Sequence, residues 1–277
     1  MEYIRALSIA GSDSSGGAGI QADIKTFSAL GCYGMSVVCA VTAQNTQGVV
    51  SVHAVPPECV REQLEAVLTD IGADVVKIGM LGSAEVVRTV AETLRRHSVP
   101  SIVLDPVMVA KGGHALIHDD AVEALKTLLL PMATVVTPNL PEAAVLTGLP
   151  VGTREAMPDA GRAIVRLGAR AALVKGGHLG DTSDDCLVVA GGCCCGTDGC
   201  RVMPAPMWFK HPRIQTPNTH GTGCTLSSAI AAHLAKGYPL PVAVKHAADY
   251  VAAAIRAGAD YRLGHGHGPV HHFHTGR

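Results

Sequence analysis

A chain of 277 residues with 22 basic and 23 acidic side chains, net charge −1, offers no broad basic face to a nucleic-acid backbone. Phe, Tyr and Trp number only three, five and one, too few for a base-stacking platform, and no apolar run approaches the length that crosses a bilayer. A small-molecule partner remains, bound by a chain long enough to bury a large core as a single domain over residues 1–277.

The first five residues show no basic region leading into a long apolar one, so no signal peptide is evident. Nine cysteines, an odd number scattered along the chain, suit free thiols in a reducing cytoplasm. From there, short β-branched runs at 7–10, 37–41, 75–78, 102–104, 134–136 and 172–174 alternate with helical patterns at 20–30, 58–71, 84–97, 121–129 and 161–167. This alternation predicts an α/β fold, a mostly parallel central sheet flanked by helices on both faces. An eight-fold barrel is the competing architecture. It fits less well because the pattern then changes to a hairpin, 185–189 with 202–205, followed by two helices at 222–236 and 241–257.

In open α/β sheets ligands bind beyond the carboxyl ends of the strands, and the residues that follow each run are unusually polar or glycine-rich. They comprise the stretch 11–19 (Gly-Ser-Asp-Ser-Ser-Gly-Gly-Ala-Gly), then Gln44, Met80, Asp105, Asn139 with Glu142, and Lys175. The stretch 17–22 formally fits a dinucleotide fingerprint, but the acidic residue needed about twenty positions on is missing at Val37 to Ala40. No P-loop pattern occurs anywhere.

The stretch 218–225, Asn-Thr-His-Gly-Thr-Gly-Cys-Thr, opens the first of the two late helices. Glycines at 221 and 223 permit close backbone approach, and a helix N-terminus supplies unpaired amides and a positive dipole end, together an anion site. Cys224 lies in that first turn, where thiolate character is favoured. Two further places read as alternatives. The cysteine-rich stretch 193–200 is a hairpin tip or a soft-metal site, and the histidine- and glycine-rich tail 264–274 is a flexible end or a metal site; spacing favours the hairpin and the flexible end. The segment 107–117 is a closing lid or a plain connection.

Taken together, the stretches 10–23, 43–46, 77–81, 105–108, 137–143, 174–178 and 218–225 resemble the hydroxymethylpyrimidine/phosphomethylpyrimidine kinases of thiamine biosynthesis, a ribokinase-like family, nearly end to end. Cys224 points to that branch, since sugar kinases of the wider family usually carry Asp there. The resemblance implies a cytosolic enzyme, a homodimer, that uses ATP and Mg²⁺ to phosphorylate 4-amino-5-hydroxymethyl-2-methylpyrimidine and then its monophosphate. It also implies that Gly221, Thr222, Gly223 and Cys224 cradle the transferring phosphoryl group. Lys175 and Asn139 would contact ATP, and Asp105 and Glu142 would organise the metal. Gly11, Ala18, Asp23, Gln44, Met80 and Val107 would line the pyrimidine pocket. Cys224 is then a base or a positioning group. Pro217, where the family pattern has Lys, departs from the resemblance at the nucleotide side. The rival readings are a pyridoxal kinase of the same fold, a non-catalytic pyrimidine sensor and a sugar kinase.

Overall fold

Residues 2–108, 119–177, 179, 183–191, 203–211 and 213–274 are described by the structure, a computed structural model. The β-branched runs become a nine-stranded sheet. Its centre is parallel: β2 (Tyr33–Asn45), β1 (Arg5–Asp13), β4 (Val75–Ile78), β5 (Ile102–Leu104), β6 (Val135–Val136) and β7 (Ala171–Val174), in that spatial order. Antiparallel strands complete both edges, β3 (Gly48–Ala54) beside β2, and β8 (Asp185–Val189) with β9 (Met207–Phe209) beyond β7.

Alternation along each strand sorts side chains between two cores. Leu7, Ile9, Val76, Ile78, Ile102, Leu104, Ala172 and Val174 face one core. There they meet α2 (Pro57–Asp70), α3 (Ala84–Arg96), α4 (Asp119–Ala124), α5 (Leu140–Thr147) and α6 (Met157–Arg166). Ala6, Val75, Val103, Ala171 and Leu173 face the other, against α1 (Gly19–Ala29), α7 (Thr222–Ala235) and α8 (Leu240–Gly258). The same alternation aims Lys77, Asp105 and Lys175 at the α7 side, because each is an even step from Val75, Val103 or Leu173. Three charged residues thus reach one helix from three adjacent regions of the sheet.

The expected fold class and all six parallel runs are present, with differences at the periphery. β3 is an additional edge strand, and α5 an additional helix that starts where Asn139, Pro141 and Glu142 read as a loop. Those residues are its cap: Asn139 Oδ1 accepts from Glu142 N at 2.9 Å and Glu142 Oε2 accepts from Asn139 N at 2.8 Å. The last strand is β9 at Met207–Phe209 rather than 202–205. Beyond Met108 the expected lid lies outside the described residues, as does the cysteine-rich tip.

The tail is a strap rather than a loose end. Gly266 N donates to Thr46 Oγ1 at 3.1 Å, His267 N to Thr46 O at 2.9 Å, and His220 N to Gly268 O at 3.0 Å. Further on, Tyr250 Oη donates to His272 O at 2.6 Å, and His272 Nε2 lies 3.1 Å from Thr225 Oγ1. Glycine suits the crossing at 266, since a Cβ there would strike the Thr46 carbonyl.

Candidate active site

The carboxyl ends of the parallel strands and the first turn of α7 enclose a cavity of about 590 Å³. Strand order gives it two ends. On the β2 and β1 side lie Gly11, Ala18 and Gln44, followed by Met80 and Val107; on the β6 and β7 side lie Asn139, Glu142 and Lys175. Asp105 sits between them, and Gly221, Thr222, Gly223 and Cys224 face the whole row.

Gly221 starts α7 with φ 77°, the left-handed region that favours glycine. Two residues on, a Cβ at Gly223 would lie 3.3 Å from Lys175 Nζ, so the helix amides and that ammonium border the same space. Lys175 Nζ donates to Asp105 Oδ1 at 2.9 Å. Asp105 also accepts from Thr137 Oγ1 at 3.1 Å and Ser227 Oγ at 3.2 Å. Burial disfavours both charges, but their mutual attraction prevails, holding Asp105 low and Lys175 high.

Glu142 behaves differently. Burial pushes its carboxyl up to about 7, Lys175 pulls it down, and the nearby Asp105 charge adds to the rise. Two buried carboxylates on one side of a phosphate-sized space form a hard oxygen donor set. Such a set fits Mg²⁺, which takes one or two carboxylates together with phosphate oxygens and water.

At the cavity wall, Lys77 Nζ contacts both Asp23 oxygens at 2.9 and 3.0 Å, and neither side chain is exposed to solvent. Ser8 Oγ and Ser228 Oγ donate to the same carboxylate at 2.6 and 2.7 Å. The expectation that Asp23 lines the pyrimidine pocket therefore gives way, because Asp23 does not border the cavity and its carboxylate is taken by Lys77, Ser8 and Ser228. A second correction concerns Cys224. Burial pushes its thiol up to about 11; Lys77 opposes this, while the Asp23 and Asp105 charges add to it. The helix terminus does not yield a standing thiolate, since desolvation outweighs it.

Asp13 and His220 escaped the sequence reading. His220 Nε2 lies 2.8 Å from Asp13 Oδ2, and that oxygen also accepts from Ala18 N at 2.8 Å and Gly17 N at 3.2 Å. Ser15 N and Oγ donate to Asp13 Oδ1 at 2.8 and 2.7 Å. Burial works against the carboxylate, but hydrogen bonds from His220 and Ser15 win and hold it down to about 2. Only the run Ser12-Asp13-Ser14-Ser15-Gly16 hinted at this turn.

A parallel sheet whose carboxyl edge faces a glycine-rich helix terminus, with a lysine and carboxylates between them, defines a kinase of the ribokinase-like class. Its fold matches the pyridoxal kinase of Staphylococcus aureus in complex with AMP-PCP and pyridoxal at a TM-score of 0.86 and 35% identity, covering 100% of this chain and 96% of that one. The phosphomethylpyrimidine kinase of Clostridium difficile 630 matches at a TM-score of 0.76 and 42% identity, over 90% and 98% of the two chains.

The chain belongs to the phosphomethylpyrimidine kinase family, whose profile matches residues 13–271. It is 53% identical to the hydroxymethylpyrimidine/phosphomethylpyrimidine kinase of Rhizobium meliloti, with 97% of each chain covered. The corresponding Escherichia coli protein is 46% identical, with 99% of each covered. It is also 52% identical to the thiamine biosynthesis bifunctional protein ThiED of Geobacter sulfurreducens, of which it spans 51%.

Proposed function

We propose that this kinase transfers the γ-phosphoryl group of ATP to hydroxymethylpyrimidine, and then a second one to the resulting monophosphate, as a step of thiamine biosynthesis. The observation that carries the reading is the Lys175–Asp105 pair facing the Gly221–Cys224 turn across the cavity. Phosphoryl transfer asks mainly for positioning and charge neutralisation. Lys175 supplies a fixed cation held in place by Asp105, and the α7 amides supply oriented dipoles for the phosphoryl oxygens. Asn139 fixes the start of α5 and borders the nucleotide side. Asp105 and Glu142 would hold Mg²⁺, which when bound would further neutralise phosphate charge.

Gln44 at the opposite end offers both a donor and an acceptor to a ring nitrogen and its neighbouring amine. Gly11 and Ala18 leave room for a flat ring, with Met80 and Val107 as apolar walls. Cys224 is a positioning group: its protonated thiol meets the acceptor hydroxyl without drawing off its proton in advance. The acceptor then passes that proton late to an oxygen of the transferred phosphoryl group, as a loose transition state permits.

A homodimer fits the open β3 edge, where Val50 and Val52 are 79% and 48% exposed. No described helix is long and apolar enough to cross a membrane. We assign the enzyme to the cytoplasm on its free cysteines, an assignment that recovery from an oxidising compartment would overturn. A second reading, pyridoxal phosphorylation, is favoured by the likeness to the S. aureus enzyme.

The test is ADP release with Mg-ATP and each of three acceptors: hydroxymethylpyrimidine, its monophosphate and pyridoxal. Turnover of both pyrimidines is expected. Turnover of pyridoxal alone would transfer the protein to the second reading, and tight pyrimidine binding without ADP release would make it a sensor.

A further inference from the structure

His220 has no role in the reaction as described so far, yet it lines the cavity between the phosphoryl cradle and Gln44. Its ring is fixed from two sides. Its backbone N–H donates to Gly268 O of the strap, and its Nε2 lies 2.8 Å from Asp13 Oδ2. We propose that His220, held by Asp13, is a positioning residue that sets which way round the Gln44 amide faces the substrate ring, and so selects an acceptor with an amine next to its hydroxymethyl group. The inference rests on the pyrimidine reading above.

An ionised carboxylate only accepts, so the imidazole nitrogen beside Asp13 carries hydrogen. One terminal atom of the Gln44 amide lies 3.4 Å from that same His220 Nε2, and the other lies 3.2 Å from Thr42 Oγ1. Thr42 Oγ1 is also 2.8 Å from the Ser12 carbonyl, which only accepts, so the hydroxyl gives its single hydrogen there. His220 Nε2, its one hydrogen given to Asp13, has no lone pair for a Gln44 NH₂ and tolerates only the carbonyl beside it, and Thr42 needs a donor. Both demands place the Gln44 carbonyl toward His220 and its NH₂ toward Thr42, the half-turn about the amide torsion that exchanges Oε1 and Nε2.

His220 directly precedes Gly221, so the carbonyl is on the side of the phosphoryl cradle. With the hydroxymethyl group directed at that cradle, the next substituent around the ring is the amine and the next atom is a ring nitrogen. The amine then meets the Gln44 carbonyl, and the ring nitrogen meets its NH₂. An acceptor group in the amine's place, such as the aldehyde of pyridoxal, faces the carbonyl unfavourably.

The experiment compares hydroxymethylpyrimidine with its analogue lacking the amine, in wild type and in His220→Leu, His220→Gln and Thr42→Val. Wild type is expected to discriminate strongly, as sites built to hydrogen-bond a substrate NH do. In His220→Leu, discrimination should fall about tenfold or more through KM for the aminopyrimidine, with KM for ATP unchanged. His220→Gln, which keeps an N–H for Asp13, should retain most of it. Adding Gln44→Leu to His220→Leu should cost little more, a coupling that general loosening would not give. Discrimination surviving in folded His220→Leu, or falling equally in His220→Gln, would overturn the inference. If His220→Leu fails to fold, Thr42→Val decides the matter, because loss of the other anchor should erode discrimination in the same way. Failure of the wild type on both pyrimidines would instead remove the functional reading itself.

Discussion

The thiol of Cys224 lies one helical turn from Ser228 and three residues from Ser227, which donate to Asp23 and Asp105 respectively. Two carboxylates thus flank a half-buried sulfur, and its proton is held up to about pH 11. Below that value the thiol is protonated, so its alkylation, followed on the Cys224 peptide by mass spectrometry, should rise about tenfold per pH unit from 7 to 10 without a plateau. A plateau near pH 7 would restore the thiolate. The same sign predicts the kinetics. Cys224→Ala should slow the alcohol and the monophosphate by similar factors, about tenfold, whereas general-base catalysis would cost the alcohol roughly 10²- to 10⁴-fold alone. At this scale the sequence showed the residue but not its state, because desolvation depends on neighbours such as Asp23 that are remote in the chain. Asp105 and Lys175 were legible because each follows its strand directly, and Gln44 and Glu142 because they come at the end of β2 and shortly after β6. Asp13 and His220 were not, being 207 positions apart. Lys77 could have been found, since it shares the parity of Val75 within β4.

Among the elements, the parallel strands were readable because burial on both faces leaves continuous apolar runs. β3 has the opposite character. Ser51 to Ala54 are exposed and Val50 is 79% exposed, so no buried face marks the strand in the sequence. α5 and the start of α6 were hidden by prolines that read as turn residues but occupy first-turn helix positions, where the missing N–H costs nothing. The open edge makes its own prediction. Lys at both Val50 and Val52 should leave the monomer folded and shift sedimentation at micromolar concentration from dimer to monomer. A dimer undisturbed by both charges would place the contact elsewhere.

For the whole molecule, one core is closed by helices contiguous in the chain, α2 to α6, and the other by α1 with α7 and α8, while the site between sheet and α7 is closed by ties that span nearly the entire chain. Asp13 meets His220 across 207 positions, and Thr46 meets Gly266 across 220. Such contacts form only after the intervening chain is in place, and chains of this size commonly pass through intermediates with native-like secondary structure. Time therefore separates shape from competence. On dilution from denaturant the far-ultraviolet signal should return first and phosphoryl transfer distinctly later, with the interval lengthened when Gly266→Ala sets a methyl group against the Thr46 carbonyl. Simultaneous recovery of both signals would show that the strap docks with the sheet. During the expected interval, a newly made molecule would present the outline of a kinase before it could act as one.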